Sequence, residues 1–113
     1  MQEWVRVTRE DGETVGWLEP LDAGYERLLP RDVLGHPAGE PTEWGEGEER
    51  LQEIGLRHLA EEWLLDGAPT RLALLEVSPQ GIVVAPALQT KALAPAERMR
   101  VDWPDLDGRL RRA

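Results

Sequence analysis

The sequence predicts a mainly β protein, α+β at most, in which about six antiparallel strands form a small barrel or a bent sheet with one helix. Two hairpin signatures, one near each end of the chain, and one cleanly alternating strand near the C-terminus carry this prediction. Runs of β-forming residues that lead up to a turn and away from it are typical of hairpins. These patterns indicate an architecture, and function has to be argued from other features.

The first hairpin signature covers residues 4–18 and turns at an Asp-Gly pair, 11–12. A two-residue turn there predicts the pairs Val5 with Leu18, Arg6 with Trp17, Val7 with Gly16 and Thr8 with Val15. One face of the ribbon is then aliphatic. The other face carries Trp4 and Trp17, with Arg6 placed to lie on an indole. Such a ribbon is covered on both sides, or covered on one side and used for binding on the other.

Residues 21–47 are predicted to be a long Pro/Gly-rich loop region within the domain. Prolines and glycines interrupt it at positions 30, 35, 37, 39, 41, 45 and 47, which argues against a continuous helix or strand. Within this region the sequence allows a short turn of helix over 24–29. Loops longer than about 12–15 residues are uncommon in compact domains and are often functional, so we expect a site here.

Glu46–Ala60 is predicted as the main helix. Its first turn is acidic, which suits the positive end of a helix dipole. Leu51, Ile54 and Leu59 give an apolar stripe, but Gly55 interrupts it. An end near Gly55 is therefore the alternative to an end at Ala60.

The second hairpin signature covers residues 71–85 and turns at Ser78-Pro79-Gln80-Gly81, with a three-residue loop and a bulge expected. Its first strand is apolar on both faces, which places it at the centre of the sheet. The alternating strand near the C-terminus, 98–103, directs Met99, Val101 and Trp103 inward. Trp63 and Trp103 are both expected in the core.

The chain has 113 residues and is predicted to be a single domain over 1–113 with one modest core. It contains no cysteine, which excludes disulfides, thiolate nucleophiles and cysteine metal sites. No basic segment followed by an apolar run begins the chain, and no apolar stretch is long enough to span a bilayer. We therefore expect a cytoplasmic protein that does not bind membranes.

The charge distribution argues against nucleic acid as a partner. Net charge is −9, with 17 acidic and 6 basic side chains through Asp66 and 5 acidic and 7 basic ones from Gly67 onward. An acidic surface repels phosphate backbones. The acids are expected to solvate a surface helix and loops, and an acidic face that docks a basic partner is the alternative.

Catalytic chemistry finds little support in the sequence, and we predict no catalytic residue and no cofactor. Ser78 is the only serine and belongs to a turn rather than to a nucleophile elbow. The 22 acids include no pair that stands out as a catalytic dyad. The sequence therefore favours a protein that is not an enzyme, but it does not exclude an enzyme.

The leading hypothesis is a non-catalytic protein-interaction module. Five Trp and one Tyr are the whole aromatic complement, and Trp44 lies in the Pro/Gly-rich region, where burial is not implied. Aromatic residues of this kind are typical anchors of binding surfaces. The predicted partner-binding residues are Trp44, Glu43, Trp17, Arg6 and Trp4. Self-association is an equal variant, because the acidic first part of the chain and its arginine-rich tail are complementary.

The alternative hypothesis is a small-molecule or metal-ion binding domain with its pocket under the 21–47 loop. The residues predicted for that pocket are Tyr25, Arg31, His36 and His58. A His-x-x-Glu pair joins His58 to Glu61, but a third ligand is missing, so an ordinary surface or capping histidine is expected.

Overall fold

The computed structural model describes residues 3–88 and 97–113 of the chain. They contain eight strands in two antiparallel sheets and one α-helix, which confirms the predicted mainly β class. Within this part of the chain neither sheet closes into a barrel, in agreement with the bent-sheet form of the prediction. The chain divides into two compact units, Met1–Leu56 and Arg57–Ala113. This division does not test the single domain predicted over 1–113, which stays a prediction.

The first unit contains a three-stranded antiparallel sheet and the helix. Its elements are β1 (Val5–Thr8), β2 (Thr14–Pro20), β3 (Leu28–Arg31) and α1 (Trp44–Ile54), with β2 between β1 and β3. The structure differs from the expected loop over 21–47, since this region contains β3 and the start of α1. No helical turn forms over 24–29. Strand β3 includes Pro30, which a strand accepts at the edge of a sheet.

The register predicted for the first hairpin is confirmed away from its turn. Val5 pairs with Leu18, Arg6 with Trp17 and Val7 with Gly16. The prediction is wrong nearer the turn, where the register shifts and Thr8 lies opposite Thr14. The cause is a three-residue loop: the N–H of Arg9 donates to the carbonyl of Glu13 at 2.8 Å, and that of Gly12 donates to Arg9 at 2.9 Å. Gly12 has the left-handed φ of 86° that such a loop requires.

Helix α1 packs on one face of the three-stranded sheet. The buried core between them consists of Val7, Val15, Leu18, Leu28 and Leu51. Two glycines permit this close approach. A Cβ at Gly47 would lie 2.6 Å from a methyl of Leu18, and one at Gly16 would lie 2.7 Å from a methyl of Leu51. Any side chain at either position would force the helix away from the sheet.

Helix α1 ends at Gly55, in agreement with the earlier of its two predicted ends. Gly55 has a φ of 57°, and its N–H donates to the carbonyl of Leu51 at 2.9 Å. With a ψ of −136° this backbone conformation is one that glycine adopts readily and other residues rarely do, so the helix stops here. The stretch Arg57–Ala60 forms a separate 3-10 helix that belongs to the second unit. The prediction of one helix through Ala60 is therefore wrong.

The second unit contains a five-stranded antiparallel sheet. Its strands are β4 (Glu62–Leu65), β5 (Leu72–Ser78), β6 (Gly81–Pro86), β7 (Met99–Val101) and β8 (Leu110–Arg112), in the order β7-β6-β5-β4-β8. The hairpin of β5 and β6 lies inside the sheet as predicted, and β6 is buried from 81 to 85. Ser78 pairs directly with Gly81, so the loop has two residues and the predicted three-residue loop is wrong.

The two tryptophans predicted for the core differ in burial. Trp63 in β4 is buried, and its indole N–H donates to the carbonyl of His58 at 3.1 Å. Trp103 is only half-buried, because β7 ends at Val101 and Trp103 lies beyond it. Strand β8 at the edge of the sheet was not predicted, since its arginine-rich sequence carries no strand pattern.

Candidate functional site

Three of the predicted partner-binding residues lie on the face of the three-stranded sheet that points away from α1. Arg6 pairs with Trp17, and Trp17 pairs in turn with Arg31 of β3. The guanidinium that lies on an indole is that of Arg31, 4.6 Å from the ring centroid of Trp4, whereas the sequence predicted this role for Arg6. Trp4 and Trp17 are half-buried. This face thus carries Trp4, Arg6 and Trp17 together, apart from the helix.

Arg31, one of the predicted pocket residues, has a structural role within the first unit. Its Nε and Nη2 donate to Oε1 of Glu19 at 2.9 and 2.7 Å, and its Nη1 donates to the carbonyl of Gly35 at 2.7 Å. Short charge-assisted bonds of this kind are the strong ones, and here both partners are partly buried. The guanidinium therefore ties β2, β3 and the following turn together.

His36, another predicted pocket residue, lies beside a buried carboxylate. Asp32 accepts the backbone N–H of Leu34 at 2.9 Å and that of His36 at 3.0 Å. The Nδ1 of His36 is 4.0 Å from Oδ2 of the same carboxylate. Asp32 shapes the turn over 32–36 through these bonds, and His36 is part of that turn.

His58 lies in the second unit and is buried, whereas the sequence predicted a surface or capping position. Nη2 of Arg112 is 3.2 Å from its Nδ1, Oε1 of Glu61 is 3.6 Å from the same nitrogen, and the Trp63 ring meets it edge-on. Among the residues that the structure describes, no group of three or more His, Asp or Glu side chains could hold a metal ion.

A polar groove of about 360 Å³ runs along α1 in the first unit. It is lined by Glu40, Pro41, Thr42, Glu46, Glu49, Arg50 and Glu53. None of the four residues predicted for a ligand pocket lines it. The helical positions 46, 49, 50 and 53 form one face of α1, and Trp44 lies on the opposite side of the helix at about 100° per residue.

The loop between β2 and β3 is organised by the carboxylate of Asp22. Its Oδ1 accepts the backbone N–H of Glu26 and its Oδ2 that of Arg27, both at 3.0 Å. The bond from Glu26, supported by that from Arg27, lowers the pKa of Asp22 below its ordinary value. Within this loop Tyr25 has a φ of 58°, although it is not a glycine, and its ring is exposed. A large side chain in the left-handed region is uncommon and costs roughly 1–2 kcal/mol.

A second loop in the chain has the same hydrogen bonds. Asp105 accepts the N–H of Arg109 on Oδ1 and that of Leu110 on Oδ2, again at 3.0 Å. The left-handed position three residues after the aspartate is Gly108, with a φ of 66°. In the turn that follows Asp32 this position is Gly35, with a φ of 91°. Tyr25 therefore occupies a position at which the two related loops have glycine.

Tyr25 and Trp44 lie at the same end of the three-stranded sheet. Leu28, at the start of β3, pairs with Thr42, so the chain before Leu28 and the chain after Thr42 leave the sheet together. Arg27 reinforces this contact by donating from Nη2 to the carbonyl of Pro41 at 2.9 Å.

Among the described residues of the first unit, three large hydrophobic side chains are exposed, and all three lie at this end. The exposed fractions are 48% for Leu21, 39% for Tyr25 and 39% for Trp44. Trp44 was predicted on a loop and is instead the first residue of α1, next to Glu43 at the helix N-cap. Leu21, Tyr25, Glu43 and Trp44 are called the end patch below.

The structure thus separates the predicted partner-binding residues into two groups. Trp44 and Glu43 belong to the end patch, and Trp4, Arg6 and Trp17 lie on the sheet face. Tyr25, which was predicted for the ligand pocket, lies at the same end of the sheet as Trp44. The signal for Tyr25 was present as an aspartate three residues before a turn position, a spacing that recurs in Asp32-Val-Leu-Gly35 and Asp105-Leu-Asp-Gly108.

No protein-family model, curated protein or solved structure matches the chain. Among the described residues no helix is long and apolar enough to cross a membrane. The geometry of the described side chains is therefore the basis for a functional conclusion.

Proposed function

We propose that this chain is a non-catalytic, cytoplasmic protein-interaction module that binds a partner protein through the end patch. Interaction surfaces typically concentrate their binding energy in a few aromatic and arginine side chains surrounded by weaker contacts. The end patch offers two exposed rings and one exposed leucine on a single end of the first unit. Exposed apolar side chains that lie together, rather than singly, are typical of binding sites.

The observation that carries this proposal is the conformation of Tyr25. Its left-handed φ is unfavourable for tyrosine, and two related loops of the same chain solve the same backbone problem with glycine. The side chain is 39% exposed, so a partner can still cover a substantial part of it. Unfavourable backbone conformations tend to lie at functional sites, and a partner that covers the ring would account for this one.

The position of Trp44 adds to this support. It lies in the first turn of α1, whose position is fixed by the close contacts of Gly47 and Leu51 with the sheet. An aromatic side chain on a rigid element loses little freedom when a partner binds. The indole is 39% exposed, although tryptophan is buried on average.

The alternative of a small-molecule or metal-ion site stays a prediction that no observation favours. Arg31 and His36 contact their own unit through the bonds described above, and so does His58. Tyr25 is the only one of the four residues whose side chain is exposed, and it lies with Trp44.

The proposal is tested by affinity capture with the tagged chain, compared between the unmodified protein and three variants. Tyr25→Gly and Trp44→Ala each remove one ring of the end patch. Leu106→Ala is the matched control, because Leu106 is 64% exposed in the related loop of the second unit. We expect a partner that is recovered with the unmodified chain and the control and is lost with both ring variants. Equal recovery with all four proteins would contradict the proposal.

Self-association is distinguished in the same samples by light scattering at low salt. A mass above that of one chain, reduced by Tyr25→Gly and Trp44→Ala, would identify a second copy as the partner. A single-chain mass together with variant-dependent capture would identify a different protein.

A further inference from the structure

The charges around the end patch narrow the chemistry of its partner. We infer that the partner presents an arginine side chain, within an otherwise apolar segment of a protein, to the rings of Tyr25 and Trp44. This inference rests on the proposed function and goes beyond it by naming the group that is recognised. A cation over an aromatic face is attracted by the negative face of the ring, and tryptophan is the strongest such partner.

Each ring of the end patch has a carboxylate next to it in the chain. Glu26 follows Tyr25, Glu43 precedes Trp44, and both glutamates are exposed. Glu43 makes no capping bond to the helix. Among the residues that the structure describes, neither carboxylate has a hydrogen-bond or ion-pair partner. Two exposed carboxylates that adjoin two exposed rings in the chain offer the two kinds of group that a planar cation binds.

Three other charged side chains at this end of the sheet, those of Asp22, Arg27 and Glu46, already have partners. The carboxylate of Asp22 accepts two backbone N–H groups within its own loop. The guanidinium of Arg27 donates to the carbonyl of Pro41, and Glu46 accepts the hydroxyl of Thr42 at 2.5 Å. An incoming cation therefore meets two exposed carboxylates, that of Glu43 within the end patch and that of Glu26 next to Tyr25.

The electrostatic field of the whole first unit is negative, as are the two carboxylates next to the rings. Met1–Leu56 contains 14 acidic and 5 basic side chains, whereas Arg57–Ala113 contains 8 of each. All of the net charge of −9 therefore belongs to the unit that carries the end patch. The N-terminus of α1 opposes this with a partial charge of about +0.5, which the full charges of Glu43 and Glu46 at the same terminus outweigh. Summed fields of this kind attract cationic partners and repel phosphate backbones.

Arginine fits the end patch better than lysine because of its shape. Its guanidinium is planar, stacks on aromatic rings and can still donate sideways to a carboxylate. A lysine ammonium is a compact, strongly hydrated charge that cannot make both contacts in this way. The apolar part of the recognised segment would contact Leu21, which is 48% exposed.

The inference is tested with the full ¹⁵N-labelled chain and three short capped peptides of alternating leucine and a variable residue. The variable residue is arginine, lysine or citrulline, the last being a neutral isostere of arginine. Binding is followed by the indole N–H signal of Trp44, which is identified by its absence in Trp44→Ala. We expect the arginine peptide to shift this signal saturably and the citrulline peptide to bind at least about tenfold more weakly.

Matched variants separate recognition at the end patch from general attraction to an acidic protein. Tyr25→Gly and the double change Glu26→Gln with Glu43→Gln should each weaken the arginine peptide several-fold, and Leu106→Ala should leave it unchanged. Equal binding of the arginine and citrulline peptides, or arginine binding that ignores these variants, would overturn the inference. If partner capture depends on Tyr25 and Trp44 but the arginine peptide does not bind, the inference is wrong and the proposed function stands. If partner capture does not depend on either ring, the proposed function is wrong as well.

Discussion

The loops 22–27 and 105–110 have the same backbone hydrogen bonds and differ in what they expose. In each, an aspartate accepts the N–H groups four and five residues later at 3.0 Å, and the residue three positions later donates back to its carbonyl at 3.3 Å. Each loop leads into an edge strand, β3 or β8. At the left-handed position one loop has Gly108 and the other has Tyr25.

The difference between Gly108 and Tyr25 shows which residue the backbone of this loop favours and which it only tolerates. Gly108 meets the backbone demand of its loop without strain. Asp105 is buried beneath it, and Arg109 braces the loop through a bidentate pair with Asp66. The loop of Tyr25 has a bulky residue at the same position, and 39% of that residue is exposed. This contrast is the basis for the proposal that Tyr25 contacts a partner.

The loop 105–110, whose aspartate is buried, should depend far more on its aspartate than the loop 22–27. In Asp105→Ala the N–H groups of Arg109 and Leu110 lose their acceptor, the latter in a buried position, at a cost of about 2–4 kcal/mol. Asp22→Ala should cost much less, because water replaces the carboxylate at exposed N–H groups. Urea unfolding followed by circular dichroism measures both. Equal losses in the two variants would show that the loops are energetically alike.

The cost of a side chain at the left-handed position can be measured in the loop that has none. No atom lies within 4 Å of a Cβ built on Gly108, so Gly108→Ala adds backbone strain without a steric clash. We expect a loss of about 1 kcal/mol in the free energy of unfolding. An unchanged stability would mean that the left-handed position is not costly here, and the argument from Tyr25 would lose its basis.

Lowering the pH should reduce the contribution of the Asp22 loop to the stability of the fold. The backbone bonds from Glu26 and Arg27 lower the pKa of Asp22 in the folded chain, so they stabilise above the pKa of the unfolded chain. This contribution is lost as the pH falls through the lowered folded pKa. The difference in melting temperature between the unmodified chain and Asp22→Asn should therefore be greatest above about pH 5 and shrink toward about pH 2. A difference that does not change with pH would contradict this account.

Much of the fold was predictable from the sequence, and the exceptions have identifiable physical causes. The pairing of Val5, Arg6 and Val7 was predicted from a two-residue turn, and it is right because the register shift between Val7 and Thr8 compensates for the extra loop residue. The helix end followed from Gly55. Both hairpin loop lengths were wrong, in opposite directions. An Asp-Gly pair fits a three-residue loop as well as a two-residue one, and Ser78 and Gly81 pair directly across a two-residue loop. Hydrogen bonds of the closing residues decided the length, and the sequence does not display them.

The two strands that the sequence missed are the edge strands that follow the aspartate loops. Strand β3 contains Pro30 and β8 is rich in arginine, so neither shows the apolar alternation on which strand prediction depends. Edge strands tolerate proline and charge because one side of their backbone is not paired within the sheet. The aspartates that start these loops were a usable signal, and their spacing to a glycine occurs at Asp32 and Asp105.

The candidate site was predictable only in part. Trp44 and Glu43 followed from their place in a Pro/Gly-rich region, although Trp44 begins a helix rather than lying on a loop. Tyr25 was predicted for a different kind of site, since its left-handed φ depends on the carboxylate of Asp22 and cannot be read from the residue type. The hydrogen bonds of both loops establish that Tyr25 and Gly108 occupy equivalent positions, and these bonds are not evident from the sequence.

The measurement that tests the central claim most directly is a paired one on Tyr25→Gly. Replacing tyrosine by glycine removes the strain of the left-handed position and adds entropy to the unfolded chain, two effects of about 1 kcal/mol that nearly cancel. We predict an unfolding free energy within about 1 kcal/mol of the unmodified chain together with a loss of partner capture. A variant that still captures the partner, or one that unfolds because the ring stabilises the fold, would contradict the claim that Tyr25 is kept for binding.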